Sequence, residues 1–215
     1  MNIKNVFTSI ANGIAPFLIE YNFICNKNKQ EFKRSNNDVT QIIRFFFHKK
    51  SDKIYLKLEI IIKLSEIENV YKSITNIEGR PYLTLGNDFL ILKNKADDFC
   101  YKKKPTNYWL IENDNDIENI VNNFESHLIE IILPYFNDNS SIERVDYLLN
   151  SYPLEMSIHN YLYPLRANIG IIAAKLNNNP NYDELVDIYM KELENAEENY
   201  KNEFLKIIKY SFTKW

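Results

Sequence analysis

Residues 39–64, VTQIIRFFFHKKSDKIYLKLEIIIKL, decide the fold. The second half alternates: Ile54, Leu56, Leu58, Ile60, Ile62 and Leu64 fall on one side, and Tyr55, Lys57, Glu59, Ile61 and Lys63 on the other. Successive side chains of a strand point to opposite faces, so the pattern predicts a strand with one buried and one mostly wet face. The first half, Val39 to His48, is β-branched and aromatic, and the polar KKSDK segment between the halves can turn the chain. The stretch reads as a β-hairpin whose apolar face nucleates the core.

Upstream, Gln30 to Arg34 reads as a strand antiparallel to Val39–His48, joined to it by the turn Ser35-Asn36-Asn37-Asp38. Before it, Ile3, Val6, Phe7, Ile10, Ile14, Phe17, Leu18 and Tyr21 recur at helical spacing. Asn2 is placed to cap that helix, while Gly13 and Pro16 weaken its middle and predict a kink. Downstream, Ser65 and Glu68 stand at capping-box spacing and predict a short helix over SEIENVYKSI. The YLTL and FLIL runs on either side of Gly86-Asn87-Asp88 predict a small hairpin. Residues 95–106 are charged and contain Pro105, which predicts a surface loop, and Asn107–Ile111 reads as a last strand.

From Asp114 the apolar period changes from two to 3.6. Ile117, Ile120, Val121, Phe124, Leu128, Ile131 and Tyr135 form one stripe, with Asp114 or Asp116 as its cap and Pro134 helping to end it. Ser140-Ser141-Ile142-Glu143 is a second capping-box pattern, opening a helix through Val145, Leu148 and Leu149. Leu165, Ile169, Ile172, Ala173 and Leu176 predict a further helix, and Asn177-Asn178-Asn179-Pro180 a stop and restart. Tyr182, Tyr189 and Ala196, with Val186, Leu193, Tyr200 and Ile207, give a long, heptad-like last helix expected to pack on the helices before it. Strand signals before Asp114 and helical signals after it predict an α+β fold. The expected architecture is an antiparallel sheet of four to six strands with helices on one face, followed by an α-helical C-terminal part. Residues 1–138 form the expected α+β domain, and 139–215 a helical extension packed on it.

Composition narrows the function classes. No apolar run reaches the roughly 18 residues that span a bilayer, and polar residues interrupt the first twenty-odd residues too often for a signal peptide. A cytoplasmic location with no membrane partner is the default expectation. Cys25 and Cys100 are too few for a disulfide framework. Two unpaired thiols are expected, with a single bridge as the alternative. The four glycines, Gly13, Gly79, Gly86 and Gly170, do not cluster, which excludes nucleotide binding through a Gly-rich turn. Charge is divided unevenly. Residues 1–110 carry 18 Lys and Arg against 11 Asp and Glu, and residues 111–215 carry 8 against 18.

A resemblance rests on the segment from Ile14 to Arg34. An amphipathic helix ends in APFLIEYNF, a basic stretch leads to Phe32 and Arg34, and a hairpin, further strands and a helix ending LPYF follow. That order, over residues 1–138, resembles an uncharacterised bacterial domain family of small α+β proteins of unknown function. Families of that general kind stand beside secreted toxins as candidate immunity proteins. Where a Gly is expected before the aromatic at the helix end, this chain has Asn22. The resemblance implies no catalytic residues.

Candidate chemistry is sparse. His48, His127 and His159 are the three histidines; His127 and Glu130 stand three apart on one helix, but neither HExxH nor paired Glu-x-x-His elements occur. Neither Cys has neighbours that would activate a thiol. Glu31-Phe32-Lys33 spells the E-x-K of some metal-dependent nucleases, yet no Asp precedes Asp38 to complete the metal site. No enzyme, no metal and no cofactor is therefore expected. The favoured function is a non-enzymatic protein–protein interaction, and the resemblance implies neutralisation of a bacterial toxin. Asp183, Glu184, Glu192 and Glu194 in the acidic half are the expected partner surface. The alternative is nucleic-acid binding through Arg44, Phe46, His48, Tyr55 and Lys57 on the outer face of the hairpin, cations for phosphates and rings for bases.

Overall fold

The computed structural model describes residues 1–75, 83–94, 108–160 and 162–210. Helix α1 (Ile3–Glu20) is capped by Asn2, whose Oδ1 accepts from Lys4 N at 2.8 Å, and runs unbroken past Gly13 and Pro16. Gly13 is an approach point. A Cβ there would lie 2.7 Å from Val121 Cγ1, so its absence lets a second helix press against α1. Asn22 ends α1 in the left-handed region, φ +64°. Phe23 N bonds Leu18 O and Asn22 N bonds Ile19 O, the paired closure of a helix C-terminus that Asn tolerates in place of Gly.

The antiparallel sheet follows: β1 (Ile24–Asn26), β2 (Glu31–Ser35), β3 (Val39–Lys50) and β4 (Lys53–Leu64), paired in that order. Strands β3 and β4 pair in register from Val39–Leu64 to Lys50–Lys53, and the two-residue turn holds Ser51 at φ +54°. Ile43, Phe45, Ile54, Leu56, Leu58, Ile60 and Ile62 are buried on the inner face. Phe7 of α1 meets Phe45 edge-on at 5.6 Å and Phe47 at 6.3 Å. Each such apolar side chain contributes roughly 1.5–3 kcal/mol on leaving water, so the hairpin and α1 form the heart of the core.

Helix α2 (Ser65–Thr75) begins where expected, but Ser65 Oγ bonds Asn37 O. Glu68 is buried beside Lys63 (3.7 Å) and Lys72 (3.5 Å). The small hairpin expected around Gly86-Asn87-Asp88 is not formed. Residues Leu85–Asp88 are strand β5, paired with β4, and FLIL belongs to helix α3 (Phe89–Asn94). Turn formers and helix caps are the same residue types, and here Asp88 Oδ1 accepts from Leu90 N at 2.9 Å and opens α3. Gly86 has φ +142°, and a Cβ would fall 2.1 Å from Ile60 O. Gly86→Ala should lower the unfolding free energy by at least about 1–3 kcal/mol, the scale of a forced backbone conformation, and a urea titration measures it. Strand β6 (Trp109–Ile111) pairs with the start of β4, completing six strands. The loop expected over 95–106, together with Cys100, lies outside the described residues.

Helix α4 (Asp114–His127) is capped by Asn113, one residue before the acidic caps expected, with Asp116 completing the box. A π-helical turn, Leu128–Ile132, joins it to α5 (Leu133–Asp138). Pro134 therefore sits in the first turn of α5 and does not end the helix. The extra residue of the π turn moves the buried face to Ile132, Leu133 and Phe136, leaving Ile131 and Tyr135 half-buried at its flank.

The helical C-terminal part comprises α6 (Ile142–Asn150), α7 (Tyr163–Leu176), α8 (Tyr182–Glu192) and α9 (Glu198–Ile208). Ser141 caps α6 by accepting from Arg144 N at 3.1 Å. Helix α7 is central: Arg166 through Ala174 are buried all round it. Helices α2, α6, α8 and α9 pack against it. The long heptad helix is broken. A 3₁₀ turn at Leu193–Asn195 and an extended Ala196 divide it, so that Leu185 and Tyr189 on one piece and Phe204 and Ile207 on the other all reach the core. Asp146 is buried and accepts from Asn150 (2.6 Å), Asn177 (2.7 Å) and Asn179 (2.9 Å), tying the α7–α8 connection to α6. The 151–160 segment is stitched to β5, His159 O accepting from Gly86 N at 2.8 Å and Ile158 O from Asn87 Nδ2.

Candidate functional site

Strand pleat places Arg44, Phe46 and His48 of β3 on the outer face with Tyr55, Lys57 and Glu59 of β4. The register sets Arg44 opposite Glu59, Phe46 opposite Lys57 and His48 opposite Tyr55. All five residues expected to form a binding face are thus neighbours. Strand β6 extends the group, with Leu110 opposite Tyr55 and Tyr108 edge-on to the Tyr55 ring at 6.2 Å. Phe46 is 54% exposed, Tyr108 46% and Leu110 39%. His48 is exposed, its ring 6.4 Å from Tyr55. The result is a shelf of rings over β3, β4 and β6. Tyr108 and Leu110 escape a reading of the sequence, because nothing local to NYWLI says which strand it will join. Its alternation, Trp109 against Tyr108 and Leu110, was the available signal.

The rest of that face differs from expectation. Ile42 and Ile61 are buried, 4% and 2% exposed, so the middle of that face is covered. The cations are already engaged. Arg44 donates to Glu31 Oε2 from Nε (3.1 Å) and Nη2 (2.9 Å). Lys57 Nζ lies 3.5 Å from Glu59 Oε1 and 3.9 Å from Asp88 Oδ2. Lys63 faces Glu68, and burial pulls its pKa below the ordinary lysine value against the attraction of that carboxylate. Glu31 and Asp88 are themselves buried, which strengthens these pairs relative to exposed ones. A phosphate would have to compete with them.

The other expected residues are separate from the shelf. Asp183 and Glu184 stand exposed in the first turn of α8, where the helix dipole favours them, and Glu192 and Glu194 are exposed at its far end. Two of them stand at each end of α8, so they do not converge on one spot. Glu31 of the E-x-K tripeptide is held by Arg44, while Lys33 is exposed. Cys25 is a free thiol, its pKa raised by burial. His127 approaches Lys93, Nε2 to Nζ 3.1 Å. His159 is buried against Tyr135. Among the described residues no group of three or more His, Cys, Asp or Glu is placed to hold a metal ion, and no helix is long and apolar enough to cross a membrane. The chain matches no protein-family model, no curated protein and no solved structure.

Proposed function

We propose that this is a non-enzymatic binding protein that docks another protein on the aromatic shelf of β3, β4 and β6. The exposure of Phe46, Tyr108 and Leu110 beside Tyr55 and His48 carries the reading. Rings clustered on a rigid sheet and rimmed by polar groups match the energetic centres of protein interfaces. Stacking alone would also suit single-stranded nucleic acid, but the engagement of Arg44 and Lys57 by carboxylates favours a protein. Toxin neutralisation, implied by the family resemblance, is the specific form proposed for that docking.

The test uses the immobilised full chain to capture a partner, which is then purified and titrated. Phe46→Ala and Tyr108→Ala are each expected to weaken its Kd at least about 10-fold, as hot-spot truncations do. Reversing Asp183, Glu184, Glu192 and Glu194 should leave the affinity unchanged; the opposite pattern moves the docking surface to α8. Tight retention of single-stranded DNA that weakens with salt and on replacing Arg44 and Lys57 would overturn the protein reading.

A further inference from the structure

We infer that the edge of the β1–β2 hairpin takes up an extended acidic segment of a partner protein, which adds to β1 as a further strand. Strand β1 ends the sheet order, and among the described residues it pairs with β2 alone. Ile24, Cys25 and Asn26 make no other backbone hydrogen bond among those residues, so the outer side of β1 is open to a new strand. A groove of about 570 Å³ adjoins it, with Asn22, Ile24, Lys27, Lys33 and Ser35 among its lining. Ile24 is 76% exposed, an apolar contact for one side chain of the incoming strand.

The charge there has one sign. Lys27 and Lys33 in the lining, and Lys29 in the turn between β1 and β2, are exposed. Among the described residues none of the three has a carboxylate within salt-bridge distance. The lining contains no Asp or Glu, and Glu31, opposite Asn26 in the register, is held by Arg44. Arg34 is committed to the fold: it donates to Gln41 Oε1 and Tyr21 O, with its guanidinium 4.8 Å from the centre of the Phe23 ring. In a chain of net charge −3 this is a local reversal of sign. Lysines along an edge strand repel a second copy of the same edge and so guard it against self-pairing. The same charges attract a strand that carries carboxylates, which makes the guard selective. With three residues, β1 offers few main-chain bonds, so charge has to supply much of the selectivity. The lining has no aromatic side chain, and so no platform on which nucleic-acid bases could stack.

The probe is a fluorescein-labelled peptide of alternating Glu and Val, EVEVEVE. Its charge-reversed match is KVKVKVK, and EPEPEPE keeps the charge but cannot pair as a strand. Anisotropy titrations of the full chain at low salt should give EVEVEVE a Kd below about 1 mM, with both matches at least about 10-fold weaker. Lys27→Glu combined with Lys33→Glu, at exposed positions, should weaken EVEVEVE about 10-fold or more. Saturating EVEVEVE should slow amide exchange within Ile24–Asn26 of the wild-type protein. Absence of saturable binding by the folded protein, equal affinity for EVEVEVE and EPEPEPE, unchanged affinity in the double variant, or tighter binding of oligothymidylate than of EVEVEVE overturns the assignment. None of these outcomes bears on the aromatic shelf, which starts two strands away at β3.

Discussion

Replacing Arg166 by Met is expected to lower the unfolding free energy by about 1.5–3 kcal/mol, the range for losing hydrogen bonds to a charged group. Arg166 is among the largest fully buried side chains of the protein. Its guanidinium donates to Leu149 O from Nε (3.2 Å) and Nη2 (2.7 Å), to Tyr152 O from Nη2 (2.7 Å), and to Glu155 O from Nη1. These carbonyls belong to the end of α6 and the turn after it, where the helix dipole is negative and no intrahelical donor remains. One side chain on α7 thus caps α6 and fixes the path of residues 151–155. Met fills the volume but donates nothing; Leu149 O keeps the Tyr189 hydroxyl (3.2 Å) and Tyr152 O keeps Glu155 N (3.1 Å), so the loss is of the charged donor's bonds and not of every partner. Arg166→Lys should recover only part of the loss, because an ammonium cannot span three carbonyls in one plane. Urea unfolding followed by circular dichroism measures both variants. A Met variant within about 1 kcal/mol of wild type would mean that water reaches these carbonyls.

The contrast between Arg166 and the hairpin shows where a sequence is readable. Alternation over Ile54–Leu64 is local, and a slip of one residue would put Ile54, Leu56 and Leu58 in water, so pattern and register imply each other. The α4 stripe and the start of α6 were legible for the same reason. Asp88 was not, because an Asp after Gly-Asn serves equally as a turn residue or a helix cap, and only the position of β5 beside β4 decides. Arg166 reads as one more polar residue among LRANIG, and the carbonyls it serves lie 11 to 17 positions away. The outer shelf is an intermediate case. Strand period alone aligned Arg44, Phe46, His48, Tyr55 and Lys57. Adding Tyr108 and Leu110, and engaging the cations with Glu31 and Asp88, required pairings between strands distant in sequence.

Acidification should cost about 3 kcal/mol of stability between pH 6.5 and pH 4 through one residue, His159. Burial, with the charges of Arg144 and Arg166 adding to it, lowers its pKa to about 4. The ring is stacked on Tyr135 with centroids 5.7 Å apart, and Nδ1 lies 3.2 Å from the phenol oxygen. Burial also raises the Tyr135 pKa, so both partners are neutral near pH 7 and share one hydrogen bond between the phenol oxygen and Nδ1. The folded pKa lies below the unfolded value of about 6.5. Between the two, the unfolded chain binds a proton that the folded chain refuses. Stability is therefore full above pH 6.5, falls as pH drops through that window, and levels off below pH 4, where the folded state is protonated too. Carboxylates titrate over the lower part of the same range, so the comparison is with His159→Phe, which keeps the stack and removes the titration. That variant should lose about 1 kcal/mol at neutral pH from the stranded Tyr135 hydroxyl, and its stability should fall less steeply with acid. Equal slopes for the two proteins between pH 6.5 and pH 5 would show that His159 takes up its proton in the folded state as readily as in the unfolded one. Because His159 O accepts from Gly86 N, protonation should loosen the edge of the sheet first. Amide exchange at Gly86 would then quicken at pH 5 before it does so at the hairpin centre, Ile43 and Ile60.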